Sequence, residues 1–595
     1  MTVKERIENL RNYMQQWGWS AAIISGSDPH NSEYTPERWR QRAFISGFTG
    51  SAGTVIVTMD HAGLWTDSRY FIQANKELEG SGVELHKVSQ PDSTEWCSWL
   101  GNNLPNGGTV GIDGLCMSSA VVAEIEESIA SANGKIESKA DYLNEIWTDR
   151  PSLPLEKIWL HDVKFAGRPV SDKLQWLRML MSDAECNYML ITCLDQIAWL
   201  LNIRSADVAY CPFVISYLLV DTEKSVLFVE TSKVTPEVSD AFSADAIDVL
   251  PYSDVAQYIT NLQPDGNIFI DPQTLNFELE LAVKAAFKEN IVCGTSPVEL
   301  EKSLKNKIEQ EGFKQAYIRD GIAQTRFFHW LEDAMAAGTT LTECDVADKL
   351  HEFRAEQPGF IDESFHTISA YGENAALPHY STEPGKDATL KPCGLYLVDS
   401  GAHYDCGTTD ITRTIPLGPT TELEKTDYTL NMKAMINLAT IIFPEGTPGC
   451  RLDAVCRRPL WLTMRNYGHG TGHGVGNLLS VHEGPQTIRQ NMKDQPLMPG
   501  MITSDEPGVY REGSHGIRHE NMIICVPAGE NEFGKWLKFE TITRTYFDTG
   551  AIIPALLTDE EREWLNSFNK TVFDTLKPYL STEDSDWLKS KTKAI

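Results

Sequence analysis

The sequence has no run of about 18 consecutive apolar residues, the length a membrane-spanning helix needs, so a soluble protein is expected. It also lacks an excess of basic charge. Its 52 Lys and Arg stand against 83 Asp and Glu, a net charge of -31. Such a field repels phosphate backbones and excludes general nucleic-acid or anionic-membrane binding as an expectation. The 12 cysteines contain no C-x-x-C pair, which argues against a disulfide framework or a zinc ribbon and points to small buried residues in a reducing compartment. The opening MTVKERIENLRNYMQQWGWSAAII has neither the positive flank nor the apolar run and cleavage site of a secretory signal. A cytoplasmic location is the resulting expectation. Low-complexity tracts and fixed-period repeats are missing too.

What is there is ordinary globular material, 42% apolar and 23% charged over 595 residues, which predicts three to five domains rather than one core. An amphipathic first helix leads into AAIISGSD. FISGFTGSAGTVIVT and AGLWTDSRYFIQANKEL then read as strand, glycine turn, strand and helix. A second α/β pass follows the proline-punctuated RPSLPLEKIW: SDKLQWLRMLM as helix, YMLITCLDQIAWLLNI as strand and helix, FVISYLLVD and SVLFVE as paired strands. A long helical stretch from TSPVELEKSL onward opens a third, larger region. There CGLYLVDSGAHYDCGTTDITRT looks like antiparallel hairpins, so that region is α+β. The boundaries predicted are 1–152, 153–304 and 305–595.

The strongest chemical signal is a set of acids in apolar, strand-like surroundings: Asp399 ending GLYLVD, Asp410 in CGTTDITRT, Glu506 in SDEPGVY and Glu520 before NMIICV. Carboxylates are depleted in strands and costly to bury unpaired. With His473 in GHGTGHGVG they make a donor set of hard oxygens and one imidazole, suited to Mn(II), Fe(II), Co(II) or Zn(II) and unlike a thiolate structural zinc site. Four carboxylates are neutralised by two divalent cations, so the charge favours a pair of ions. GHGTGHGVG is neither a zincin nor a dinucleotide loop: no Glu follows His469, and the third glycine of G-x-G-x-x-G is missing. WLTMRNY ahead of it reads as helix, and the glycines are expected to let backbone pass close to a ligand.

Together these residues resemble the pita-bread metallopeptidases, within them the long three-domain Xaa-Pro aminopeptidases (aminopeptidase P). The resemblance runs through SEY, RAFISGFTGSAGT, LWTDSRYFIQA, LDQIAWLLNIR, YGENAALPHY, LVDSGAHYDCGTTDITRT, GHGTGHGVGNLLSVHEGP, SDEPGVY and GIRHEN. It implies two creatinase-like N-terminal α/β domains followed by a C-terminal pita-bread catalytic domain. Implied ligands of two divalent ions, Mn(II) being the family's usual metal, are Asp399, Asp410, His473, Glu506 and Glu520, with Asp410 and Glu520 bridging. The implied activity is hydrolysis of the N-terminal Xaa-Pro bond of peptides by a hydroxide shared between the ions, with Glu506 relaying its proton. His379 and His482 would bond the scissile carbonyl, His469 would line the proline pocket, and Arg518 would orient a carboxylate. Arg69 in TDSRY and Glu33 in NSEY match substrate-side positions of the first domain.

His519, between Arg518 and Glu520, departs from the apolar residue common there. The stretch from TRTYFDTGAII onward departs from the family's apolar, proline-rich wording. The resemblance also implies a homodimer paired through the catalytic domain, with an apolar surface patch there. Competing readings are a prolidase acting on Xaa-Pro dipeptides, which has a single N-terminal domain; a creatinase-like amidinohydrolase, which lacks the metal ligands; and a metal-free peptide-binding module of the same fold.

Overall fold

In the computed structural model, which describes residues 1–89 and 93–595, the chain forms two compact units. The first comprises residues 1–161 and 168–298, the second residues 162–167 and 299–595. Residues 162–167, inside the second predicted domain by sequence, thus pack with the later unit. There Asn306 Nδ2 donates to the Ala166 carbonyl at 2.9 Å.

The first unit holds two six-stranded mixed sheets. In the first sheet β1 (Ala21–Ile24), β2 (Thr54–Thr58), β3 (Ala62–Thr66), β4 (Glu84–Lys87), β5 (Thr109–Ile112) and β6 (Lys135–Ser138) lie in the order β4-β3-β2-β1-β5-β6. In the second, β7 (Cys186–Ile191), β8 (Ser216–Asp221), β9 (Ser225–Val229), β10 (Ile247–Leu250), β11 (Asn267–Ile270) and β12 (Ile291–Cys293) lie as β10-β9-β8-β7-β11-β12. Strand for strand the two orders are the same. So is the sense of every pair: β1-β2 and β2-β3 are antiparallel, as are β7-β8 and β8-β9, and the other three pairs of each sheet are parallel. The two α/β copies expected from the sequence are therefore one topology used twice.

Alternation explains why β1 and the Val55–Val57 centre of β2 are apolar on both faces. Ala22, Ile24, Val55 and Val57 point to one core, with Ile7, Leu10 and Met14 of α1 (Val3–Trp17). Ala21, Ile23 and Ile56 point to the core on the other face. One local expectation is corrected: FIS is not strand but the end of a helix, Gln41–Ser46, closed by Gly47 in the left-handed region (φ 79°).

The second unit begins on a long helix, α2 (Lys307–Ala336), fixed at its start by a capping box between Asn306 and Glu309. After α3 (Glu343–Ala355) come β13 (Ile368–Tyr371), β14 (Leu395–Ser400) and β15 (Ile411–Pro416), an antiparallel three-stranded sheet. Two helices follow, α4 (Glu422–Ala439) and α5 (Gly449–Trp461). A further antiparallel sheet uses β16 (Ile442–Pro444), β17 (Gly472–Gly474), β18 (Glu483–Ile488), β19 (Ile502–Asp505), β22 (Asn521–Asn531) and β23 (Gly534–Thr541) in the order β16-β23-β22-β19-β17-β18, with the hairpin β20 (Gly508–Arg511) and β21 (His515–Arg518) inserted. This is the α+β architecture expected for the last region.

Two expectations change here. The helix of WLTMRNY stops at Trp461, because the chain turns through Met464 at φ 56°, and Arg465 N–H returns to the Leu460 carbonyl. Gly472 makes room for protein and not for ligand: a Cβ there would lie 2.0 Å from the Ser504 carbonyl on neighbouring β19. The divergent C-terminal stretch closes the core, with Tyr546, Phe547 and Ile552 buried among Phe328, Tyr428 and Phe568. All 12 cysteines are free thiols; Cys293 and Cys393 are exposed, contrary to the expected burial. No helix among the described residues is long and apolar enough to cross a membrane.

Candidate metal centre of the second unit

Four elements bring the acids together. Asp399 lies on β14 and pairs across the sheet with Thr412 of β15, Asp410 stands just before β15, Glu506 follows β19, and Glu520 sits between β21 and β22. Asp399, Asp410 and Glu520 are all buried, and each offers an oxygen within 4.8 Å of the others. One donor atom of each of His473, Glu506 and Glu520, and of each of Asp410, His473 and His482, likewise lies within 4.8 Å of the others. His473 Nε2 is 3.4 Å from both Asp410 Oδ2 and Glu506 Oε1. Its Nδ1 is 2.9 Å from the Gly474 carbonyl, so Nδ1 carries the proton and Nε2 presents a lone pair to the carboxylates.

The charge pattern follows from burial. Asp410 is pushed up to about 8, by burial first and then by Asp399. Glu506 and Glu520 are likewise raised well above the carboxylate range by burial, Glu506 also by Glu520, and Glu520 also by Asp410 and Asp399. Asp399 Oδ1 is buried with no hydrogen-bond partner. Crowded oxygens with an imidazole nitrogen among them, and a carboxylate oxygen with nothing to bond, fit a pair of divalent cations.

Neighbouring side chains hold the acids in place. The Arg518 guanidinium bonds Asp399 Oδ2 through Nη2, Thr412 Oγ1 through Nε at 3.1 Å and Tyr510 Oη through Nη1 at 2.7 Å. Thr412 Oγ1 in turn donates to Glu520 Oε2 at 2.8 Å. His469 has Nδ1 on the Gly470 carbonyl at 2.7 Å, so its Nε2 accepts from Tyr510 Oη at 2.8 Å. Tyr317 clamps the backbone of Asp410, whose N–H donates to its hydroxyl at 3.1 Å. Thr412, Tyr510 and Tyr317 escaped sequence reasoning, since each reads as an ordinary strand or core residue until pairing places it.

His482 packs edge-on against His473, with ring centroids 4.3 Å apart. His379 is exposed in the turn after Gly372–Ala376, and the carbonyl of its neighbour Pro378 lies 3.5 Å from Arg518 Nη2. Arg69 and Glu33 belong to the first unit. There Arg69 forms a bidentate pair with Asp67, both bonds 2.8 Å, and Glu33 is exposed in a bend. His519 is fully buried, with Nδ1 3.3 Å from Asn431 Nδ2. Burial first, then Arg413, drives its pKa well below the usual value, and the neutral ring lies edge-on to Tyr428 at 4.4 Å.

Arg518 is itself aimed by the hairpin that carries it. Asp427 on α4 is fully buried and takes bonds from Arg465 Nε at 2.6 Å, His515 Nε2 at 3.1 Å and Arg511. Burial alone would raise its pKa, but those bonds together outweigh it and hold the carboxyl far below the ordinary range. A depressed folded-state pKa gives stability that is present above the unfolded value, about 3.9, and lost as pH falls through the folded one. Asp427→Asn is therefore expected to lower the unfolding temperature at pH 7 and to narrow its gap from the parent protein as pH drops below about 4. Thermal unfolding followed from pH 7 to pH 2 checks this, and a gap that stays constant would contradict it.

Comparison with known proteins agrees with this geometry. Residues 311–527 match the model of Metallopeptidase family M24, residues 535–595 the C-terminal region of peptidase M24, and residues 6–141 and 149–309 two models of the Creatinase/Prolidase N-terminal domain. Aminopeptidase P2 of Arabidopsis thaliana is 40% identical, over 100% of this chain and 89% of its own. A probable Xaa-Pro aminopeptidase P of Sordaria macrospora is 37% identical over the whole of both chains. The crystal structure of the X-prolyl aminopeptidase of Caenorhabditis elegans, described as a cytosolic enzyme with a di-nuclear active site, matches with a TM-score of 0.96 at 33% identity, covering 100% of both chains. With this identity along its full length, and the acids of the second unit gathered at one place, the chain belongs to the aminopeptidase P branch of Metallopeptidase family M24.

Proposed function

We propose that the protein is a metal-dependent Xaa-Pro aminopeptidase that releases the first residue of peptides with proline second. The observation that carries this reading is the convergence of Asp399, Asp410, His473, Glu506 and Glu520, with His482 beside them, in a chain matched end to end by aminopeptidases P. The five residues would hold two divalent ions, Mn(II) by family habit, with Asp410 and Glu520 shared. When bound, the pair supplies Lewis-acid activation of water and of the scissile carbonyl.

The remaining work falls to this chain's own groups. Glu506 Oε1, in reach of the Ser504 hydroxyl at 3.3 Å, takes the proton of the attacking water. It then passes that proton to the leaving nitrogen, which needs one because a tertiary amide before proline carries no N–H. His482 and His379 donate to the carbonyl oxygen as charge develops on it. His469, with its tautomer set by the Gly470 carbonyl and Tyr510, lines the wall that receives the proline ring. Arg518 stays charged in its buried position and holds the Asp399 carboxylate in its orientation.

The test is hydrolysis of matched Xaa-Pro-Yaa and Xaa-Ala-Yaa tripeptides and the Xaa-Pro dipeptide by protein stripped of metal and resupplied with Mn(II). Release of Xaa from the proline tripeptide alone, and only with metal, is expected. Cleavage of the dipeptide alone would replace the reading with prolidase, and no cleavage with metal bound would favour a peptide-binding role.

Location and assembly complete the proposal. A cytosolic enzyme accords with the free thiols and with the description of the nematode relative. We assign a homodimer to the face at the end of α5, where Trp461 is 46%, Leu462 70% and Met464 97% exposed, an apolar cluster that a second copy would cover. Sedimentation equilibrium should give twice the chain mass for the parent protein and the single mass for Leu462→Glu with Met464→Glu; a parent monomer would overturn it.

A further inference from the structure

A second group of metal-binding side chains lies in the first unit, on the edge of its first sheet. His61 ends the turn between β2 and β3, anchored by its N–H to Thr58 Oγ1 at 3.0 Å. β3 and β4 run parallel with Gly63 opposite Glu84 and Trp65 opposite His86. Because strand side chains alternate, Gly63 and Trp65 share one face with Glu84 and His86, and His61 reaches onto it.

On that face the two imidazoles meet nitrogen to nitrogen, His61 Nε2 3.2 Å from His86 Nε2. Two ring nitrogens bound tetrahedrally to one ion at about 2.1 Å stand about 3.4 Å apart, so the pair is already spaced for a shared cation in place of its shared proton. Glu84 adds a carboxylate: one donor atom of each of the three residues lies within 4.8 Å of the others, and Glu84 Oε2 is 3.8 Å from His61 Nδ1.

The surroundings are shaped for the two rings. A Cβ on Gly63 would come within 2.7 Å of His61 Nε2 and 2.8 Å of His86, so only glycine leaves the space in which they face each other. Trp65 stacks under His86 at 4.0 Å and 10°, and Trp99 closes on His61 at 4.9 Å.

We propose that His61, His86 and Glu84 form a site for one nitrogen-preferring divalent transition ion, Zn(II) or its like, separate from the oxygen-rich cluster of the second unit. Two imidazoles and one carboxylate suit Zn(II) better than Mn(II), whereas four carboxylates and one imidazole suit Mn(II). Such an ion ties the edge strand β4 to the turn before β3, 25 residues apart in sequence.

Protein saturated with Mn(II) is titrated with Zn(II), dialysed, and both metals are counted per chain. One Zn(II) retained with Mn(II) undiminished is expected. His61→Gln with His86→Gln should lose the Zn(II) and keep the Mn(II) content, which also reports that the variant is folded. Glu84→Gln should weaken Zn(II) binding about tenfold. Equal Zn(II) in parent and double variant, or Zn(II) uptake matched by Mn(II) release, would overturn the site. Zn-edge X-ray absorption on the parent protein decides without any variant: scattering from two imidazoles supports the assignment, and a first shell of oxygens alone rejects it.

Discussion

Glu520→Gln should lower kcat/KM on an Xaa-Pro tripeptide by about a thousandfold or more and reduce bound Mn(II) from two ions per chain to one. Glu520 is 1% exposed and belongs to both carboxylate groups of the site, with Asp399 and Asp410 on one side and His473 and Glu506 on the other. Glutamine keeps the shape and can still accept from Thr412 Oγ1, so the fold is retained while one negative charge is lost. On the proposed reading that charge is shared by two ions, so its removal affects both. Asp410→Asn should behave the same way for the same reason, its oxygens lying with both Asp399 and His473. Metal analysis and steady-state kinetics on one preparation check the prediction. Two ions bound and a normal rate in either variant would show that the residue replaced in it is not shared.

Arg354→Ala should destabilise the second unit by about 3–5 kcal/mol, the usual result of leaving a buried charge without its partner. Arg354 and Asp320 are both fully buried and joined by two bonds, 2.7 Å and 3.2 Å, from α3 to α2. The same guanidinium reaches Glu363 at 3.1 Å and the Gly401 carbonyl at 3.3 Å, two residues beyond Asp399. Truncation leaves the Asp320 carboxylate with only the Tyr404 hydroxyl, 3.2 Å away. The double replacement Arg354→Met with Asp320→Leu should recover part of the loss, because Asp320 is then gone as an unpaired buried charge while Glu363 keeps His351 and Thr367. Urea unfolding of parent, single and double variants gives the comparison. A single variant as stable as the parent, or a double variant no better than the single, would contradict the argument.

Reading along the chain identified much of this protein because several of its signals are local. Asp399, Asp410, His473, Glu506 and Glu520 stand out since an acid or imidazole set into an apolar strand needs a compensating partner wherever the strand ends up. The doubled α/β pattern was visible as the order of apolar runs and turns. FIS and WLTMRNY were misread for a related reason: a short apolar run does not reveal whether a following left-handed residue, Gly47 or Met464, closes a helix. Gly472 was assigned to a ligand because no spacing rule shows the Ser504 carbonyl that will lie against it.

By itself, the sequence determined the donor set, its preference for hard divalent ions, the α/β copies ahead of an α+β region and the family resemblance. All of these depend on residue type and on patterns within a few residues. Only the tertiary structure decided that the five donors converge, that Arg518 binds Asp399 and Tyr510, that Thr412 reaches Glu520, and that His61 and His86 face each other across Gly63. Those contacts join residues up to 121 positions apart, Asp399 to Glu520, through strand register and side-chain direction. Register is set by the packing of whole sheets against their cores, so no short stretch of sequence contains it.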